Sequence, residues 1–181
     1  MKKIFTSITA IILFLNIATV GLAAFTDVPS SNPFAEDIEY LDQTGIVSGS
    51  KFSPDRKITR QEYAKWILKN TGFLGENYES PSRKRFRDVS KTNSYAPFIY
   101  KLRDIGALGN EDESRFRPTR AIDRQTALEW LLEVEGVPVP RVFNEADFHA
   151  EDVNVRSPSA PLVNKAIDMG LLAPGKVNMD A

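Results

Sequence analysis

Two arginines stand where a helix ordinarily prefers acid. Arg60 and Arg124 lie in Ile58-Thr59-Arg60-Gln61 and Ile122-Asp123-Arg124-Gln125, each at the start of an apolar-periodic stretch. Thr59-Arg60-Gln61-Glu62 has the pattern of a capping box, with Thr59 as N-cap and Glu62 reaching back from the third position. Asp123 is the N-cap of the second stretch, with Thr126 where the glutamate would be. A cation in the first turn opposes the helix dipole by a few tenths to about 1 kcal/mol, so its recurrence points to another use. An arginine beside unpaired helix N–H groups can grip a carboxylate in bidentate fashion, such as a pyruvate ketal or a uronic acid. The other use is structural, an ion pair with the aspartate of a recurring Phe-x-Asp-Val. Both uses are open from the residues alone.

The neighbours of the arginines carry the same two-sided reading. Asp27, Asp88 and Asp152 can orient them or accept hydrogen bonds from sugar hydroxyls; they can equally serve turn or N-cap chemistry. Phe34 and Tyr95 can offer a ring face to a sugar's C–H edge, or pack in a core. Gln61 and Gln125 sit beside the arginines as hydrogen-bonding neighbours. The candidate ligand-binding set is therefore Arg60, Arg124, Asp27, Asp88, Tyr95, Phe34, Gln61 and Gln125. Trp66 and Trp130, mid-helix among apolar residues, read as core. Asn110-Glu111-Asp112-Glu113 lacks the spacing and glycine of an EF-hand and reads as a solvated loop. Arg83-Lys84-Arg85 with Arg87 reads as a solvated basic linker able to attract an anionic polymer. His149 has no recognisable catalytic partner.

The elements that must position these residues occur in copies. Phe25-Thr26-Asp27-Val28 returns as Phe86-Arg87-Asp88-Val89, and at the same offset Ile38, Leu41 and Gly45 fall on Ile99, Leu102 and Gly106. After a short insertion, Phe52-Ser53-Pro54 aligns with Phe116-Arg117-Pro118, and Trp66 with Trp130. The two blocks share 16 identities over 42 positions, well beyond chance. A weaker third copy places Asp152-Val153, Ala160, Val163 and Gly170 on Asp27-Val28, Ala35, Ile38 and Gly45, and Val177 on Phe52.

Each copy reads as helix, loop, helix. Phe34, Ile38 and Leu41 share one helical face, as do Tyr95, Ile99 and Leu102. Gly45, Gly106 and Gly170 follow the last turn, where a left-handed residue ends a helix. The fold class is all-α. The expected division is a signal segment over 1–24, copies over 25–70 and 86–134, linkers over 71–85 and 135–147, and an incomplete copy over 148–181.

Composition narrows the function classes. The chain has 181 residues, no cysteine and one histidine, which excludes thiol chemistry, disulfide scaffolds and multi-histidine metal sites. A formal charge of -1 and a pI near 5.9 argue against generic nucleic-acid or anionic-membrane binding. No metal site, cofactor or catalytic group is expected. Lys2-Lys3, a short apolar run from Ile8 to Val20 and Gly21-Leu22-Ala23-Ala24 make a secretory signal peptide. Its removal takes both lysines and lowers the formal charge from -1 to -3.

Taken in order, Phe-x-Asp-Val, an aromatic-Ala pair, Gly-Ile-Val-x-Gly, Phe-x-Pro and Ile-Thr-Arg-Gln-Glu resemble the S-layer homology (SLH) repeat. The resemblance covers the chain after the signal, apart from the linkers. It departs at Phe34, Tyr95 and Ser159, where the family usually has tryptophan, and at Gln61 and Gln125, where it usually has alanine. The third copy lacks the Thr-Arg segment. The resemblance implies modules packed about a pseudo-threefold axis, here a partial trimer, with grooves between neighbours. It also implies non-covalent anchoring at the cell surface to a secondary wall polysaccharide or to peptidoglycan, with no enzyme activity. The alternative is a self-assembling surface protein whose partners are other copies of itself. Because the third copy stops mid-unit, the chain is expected to be a fragment of a longer surface protein. An exported wall hydrolase would need two carboxylates facing one cleft, and the acids here are scattered over helix faces.

Overall fold

The computed structural model describes residues 25–82, 85–109 and 114–179. The signal segment, the acidic cluster at 110–113, and Arg83 and Lys84 of the basic run lie outside the described residues. The helices are α1 (Ala35–Gln43), α2 (Arg60–Asn70), α3 (Ala96–Asp104), α4 (Arg124–Val134) and α5 (Ala160–Asp168), with one 3-10 turn at Glu145–Asp147. Among the described residues the extended backbone amounts to isolated bridges, Thr59 with Ala121 and Ala150 with Gly175. The all-α class stands.

The sequence signals for the helix ends act where the repeat pattern places them. α1, α3 and α5 begin at the alanine that follows Phe34, Tyr95 and Ser159. Asn32 and Asn93 set up the first two starts, each accepting the amide of the residue two further on, at 2.9 and 2.8 Å. At the other end of α1, Gly45 has φ +68°, and Ile46 N–H reaches back to Leu41 O at 2.9 Å. This is a Schellman closure, which needs the left-handed conformation glycine adopts cheaply. Gly106 and Gly170 close α3 and α5 the same way. α2 starts at Thr59, whose N–H and hydroxyl both donate to Glu62 Oε2, at 2.9 and 2.7 Å. α4 starts at Asp123, which accepts the Thr126 amide at 2.8 Å.

α2 packs on α3 and α4, and α4 packs in turn on α5. The largest core cluster joins Ala64, Ile67 and Leu68 of α2 to Ile99 and Leu102 of α3 and Trp130 of α4, with Phe86, Val89 and Phe116 from the loops. The opposite side of α4 contributes Leu128 and Leu132 to a second cluster with Leu162, Val163 and Ala166 of α5. α4 is thus sandwiched between two cores. α1 has a small satellite cluster of Phe25, Val28 and Ile38 and, among the described residues, no comparable packing against another helix. Its ends leave Phe34 63% and Tyr40 57% exposed. Core packing, one of the two readings of Phe34, is therefore not what this ring does.

Candidate functional site

The recurring aspartates form the same device three times. Asp27 accepts the amides of Phe52 and Ser53, Asp88 those of Phe116 and Arg117, and Asp152 those of Val177 and Asn178, all between 2.8 and 2.9 Å. The second residue of each pair has positive φ: +61° at Ser53, +56° at Arg117 and +46° at Asn178. Successive N–H groups in such a turn make a concave anion seat, and the chain's own carboxylate fills it. The amides of Phe52 and Val177 hold Asp27 and Asp152 below the ordinary carboxylate range. These carboxylates fix the Phe-x-Pro loop, the turn role that sequence left open beside sugar binding.

The arginines also turn inward. Arg60 is 6% exposed, and its Nε donates to Phe116 O at 2.9 Å. Its guanidinium lies over the rings of Trp130 and Phe116, 4.5 and 5.0 Å from their centroids. Arg124 donates to Val177 O, the carbonyl at the equivalent place in the next loop. Each arginine therefore reaches from one second helix to the following loop, where an aspartate already holds the same residue's N–H. Arginine and aspartate thus hold the C=O and the N–H of one residue, Phe116 in one case and Val177 in the other.

The N–H groups at these helix starts reach into the following loop. Arg60 N–H donates to Arg120 O at 2.9 Å and Gln61 N–H to Pro118 O at 3.0 Å, while Gln125 N–H donates to Met179 O at 3.3 Å. Carbonyls of the following loop thus occupy these three donors, which would otherwise face a ligand at the helix starts. Of the two glutamines, Gln61 accepts from Asn93 Nδ2 at 3.1 Å, and Gln125 donates to Glu129 at 2.9 Å. Asp123 belongs to the same junction. Burial raises its pKa, but the Thr126 bonds and the Arg60 charge outweigh this and leave it below the ordinary value.

A groove open to a ligand lies further along α2. It has a volume of about 190 Å³ and runs between α2, the Ile46–Lys51 loop and Tyr95 at the start of α3. Trp66 stacks on Phe52 with centroids 5.8 Å apart, and the pair forms an aromatic wall. Lys51, Arg56, Lys65 and Lys69 bring positive charge to the lining. Among the described residues Glu62 is the one acid there, and Arg56 holds it through two bonds of 2.9 Å. Lys65 Nζ stands 5.7 Å from the Tyr95 ring, and Lys69 donates to Gly45 O. Such a wall can stack on the apolar face of a sugar while the ammonium groups meet its acid.

Of the sequence-predicted set, Tyr95 lines this groove; Phe34, Arg60, Arg124, Asp27, Asp88, Gln61 and Gln125 do not. Trp66, read as core, is half-buried and faces the groove, which corrects that reading, whereas Trp130 is buried at 1%. The sequence did carry a signal for the missed lysines. Lys65 and Lys69 are four apart, hence on one helix face, and the second copy has Glu129 and Glu133 in their places.

Residues 24–64 match the family model of the S-layer homology domain. The chain carries an SLH domain. The match ends within α2 and takes in the Asp27 clamp, the Gly45 closure and the Thr59–Glu62 cap. SLH domains are non-catalytic modules that generally anchor proteins at the cell envelope and bind cell-wall polymers. No curated protein matches the chain. Among the described residues, no helix is long and apolar enough to cross a membrane, and no cluster of His, Asp or Glu could hold a metal ion.

Proposed function

We propose that this chain is exported after loss of residues 1–24 and anchors to an acidic wall polysaccharide through the groove beside α2. In this reading the segments 25–70, 86–134 and 148–181 act as successive units of one non-catalytic anchor. The observation that carries it is the pairing of the Trp66–Phe52 wall with four cations against, among the described residues, a single, already paired carboxylate. An acidic sugar offers both partners: an apolar C–H face for the rings and a carboxylate for Lys65 and Lys69. The arginines and aspartates of the repeat keep the loops that shape the groove in register, without touching the polymer.

Co-sedimentation of the processed protein with cell-wall sacculi tests the reading. One sample keeps its secondary polysaccharide and the other is stripped of it by acid. Binding to the unstripped wall alone is expected. Equal binding to both would make peptidoglycan the ligand, and binding to neither would overturn the anchor.

Self-association has one observation of its own, the exposed Phe34 and Tyr40 on α1, which among the described residues packs on no other helix to a comparable extent. Sedimentation velocity at rising concentration separates the two readings. A wall anchor keeps a constant size, and a self-assembling surface protein grows.

A further inference from the structure

A second, larger groove lies on the far side of the segment that carries Tyr95. Its volume is about 550 Å³, and residues 78–80 and 85 of the linker face Lys91–Ser94 and the start of α3 across it. That volume is in the range of small-molecule clefts, about 300–1,000 Å³. The two grooves flank one short stretch of chain: Tyr95 lines the first, and Asn93, Ser94 and Ala96 line the second. Asn93 is tied to Gln61 of α2 at 3.1 Å, so the partition between the grooves is held to the same helix that carries Trp66.

The second groove is also built for an acidic, hydroxyl-rich ligand. Arg85 lies over the buried Tyr100 ring, 4.6 Å from its centroid. Stacking uses the face of a guanidinium and leaves the N–H edge for a carboxylate. Lys91 supplies a second cation, Thr92 and Ser94 supply hydroxyls, and among the described residues Glu79 is the one acid in the lining. Asp104 and Arg103 stand close behind. Asp104 accepts from Tyr78 at 2.7 Å and Arg103 at 2.9 Å, which neutralises this carboxylate locally. The equivalent junction before α5 repeats the pattern on a smaller scale, with Arg141 and Arg156 beside Glu145 and with Pro161 matching Pro97.

We propose that the linker groove is a second subsite, and that one acidic glycan strand runs from the Trp66 groove across Tyr95 into it. This rests on the wall-polysaccharide reading above and extends it from a single sugar to a strand. A polymer bound at two linked subsites gains affinity with length, because the second contact is intramolecular.

The test is a titration of the isotope-labelled processed chain, followed residue by residue by NMR, with digalacturonate and with hexagalacturonate. The dimer is expected to shift Lys65–Lys69 alone, and the hexamer to shift Lys91–Ser94 and Arg85 as well. The hexamer should bind about tenfold more tightly than the dimer, and R85A/K91A should remove most of that advantage. A glycerol-phosphate hexamer that shifts both sets where the uronate does not would support the two-groove path with phosphate as the anion. If the short ligand shifts α2 and no long one moves Lys91–Ser94, the linker subsite is wrong and the anchor reading survives. If nothing shifts with any ligand, both are wrong.

Discussion

α2 and α4 are equivalent helices that present opposite surfaces. Each begins with Arg-Gln and carries a tryptophan stacked on the phenylalanine of its own Phe-x-Pro loop, Trp66 on Phe52 at 5.8 Å and Trp130 on Phe116 at 5.6 Å. Arg60 covers the second stack and seals it. Among the described residues no cation lies over the first stack, which stays open to the groove. The flanking charges differ in the same sense: Lys65 and Lys69 border Trp66, while Glu129 and Glu133 border Trp130. Even the ring across the groove changes, since Tyr95 corresponds to Ser159. One helix of this kind can therefore present an open aromatic wall or a core layer, depending on what the neighbouring segment lays over it.

The widest separation between the two surfaces should come from the tryptophans themselves. Trp130→Ala removes a ring from the main core, and urea unfolding should show a loss of about 3–5 kcal/mol. Trp66→Ala should lose well under half of that and still abolish wall binding. Comparable destabilisation by both changes would erase the distinction. The next largest contrast is between the arginines. Arg60→Ala loses the contacts with both rings and the bond to Phe116 O, for about 2–4 kcal/mol. Arg124→Ala loses a hydrogen bond to Val177 O, for about 1–2 kcal/mol. Equal costs would mean that stacking over Trp130 contributes nothing.

Much of this fold is legible in the sequence because its signals are local. The alanine that opens α3, the Gly106 that closes it and the Asp123 cap each act within a few residues, and each falls where the repeat places it. The candidate site is less legible because it depends on contacts across units. The fates of Arg60 and Trp130 are set by a contact between residues 70 positions apart in sequence. Periodicity records neither that contact nor its absence at Trp66. The dipole argument at Arg60 detected a real anomaly. Its resolution lay in the Arg120 and Pro118 carbonyls, which no local pattern points to. The Lys-to-Glu exchange at 65/129 and 69/133 was visible in the repeat alignment, and charge differences between copies are the signal that would have found the groove.

The smallest expected effect concerns acid. Asp27, Asp123 and Asp152 all lie below their ordinary value of 3.8. A carboxyl depressed in the folded state adds stability above its unfolded pKa and loses it as pH falls through the folded one. The Asp27 and Asp152 clamps should therefore stay intact down to about pH 4 and weaken progressively below it. Melting temperature against pH checks this, and a decline beginning near neutrality would contradict the clamp assignment. The two loops whose aspartates are depressed through backbone amides, at Phe52 and at Val177, should loosen together.

The most direct test of the central claim is to give α2 the charges of α4. K65E/K69E copies the second unit's residues at two solvent-accessible positions and leaves Trp66, Arg60 and the clamps in place. Circular dichroism and melting temperature would confirm the fold before binding to unstripped sacculi is measured. The predicted result is an unchanged melting temperature and a loss of wall affinity of roughly 30-fold or more. Retention of full affinity by this folded variant would contradict the account, because the groove beside α2 would then not be where the wall polymer binds.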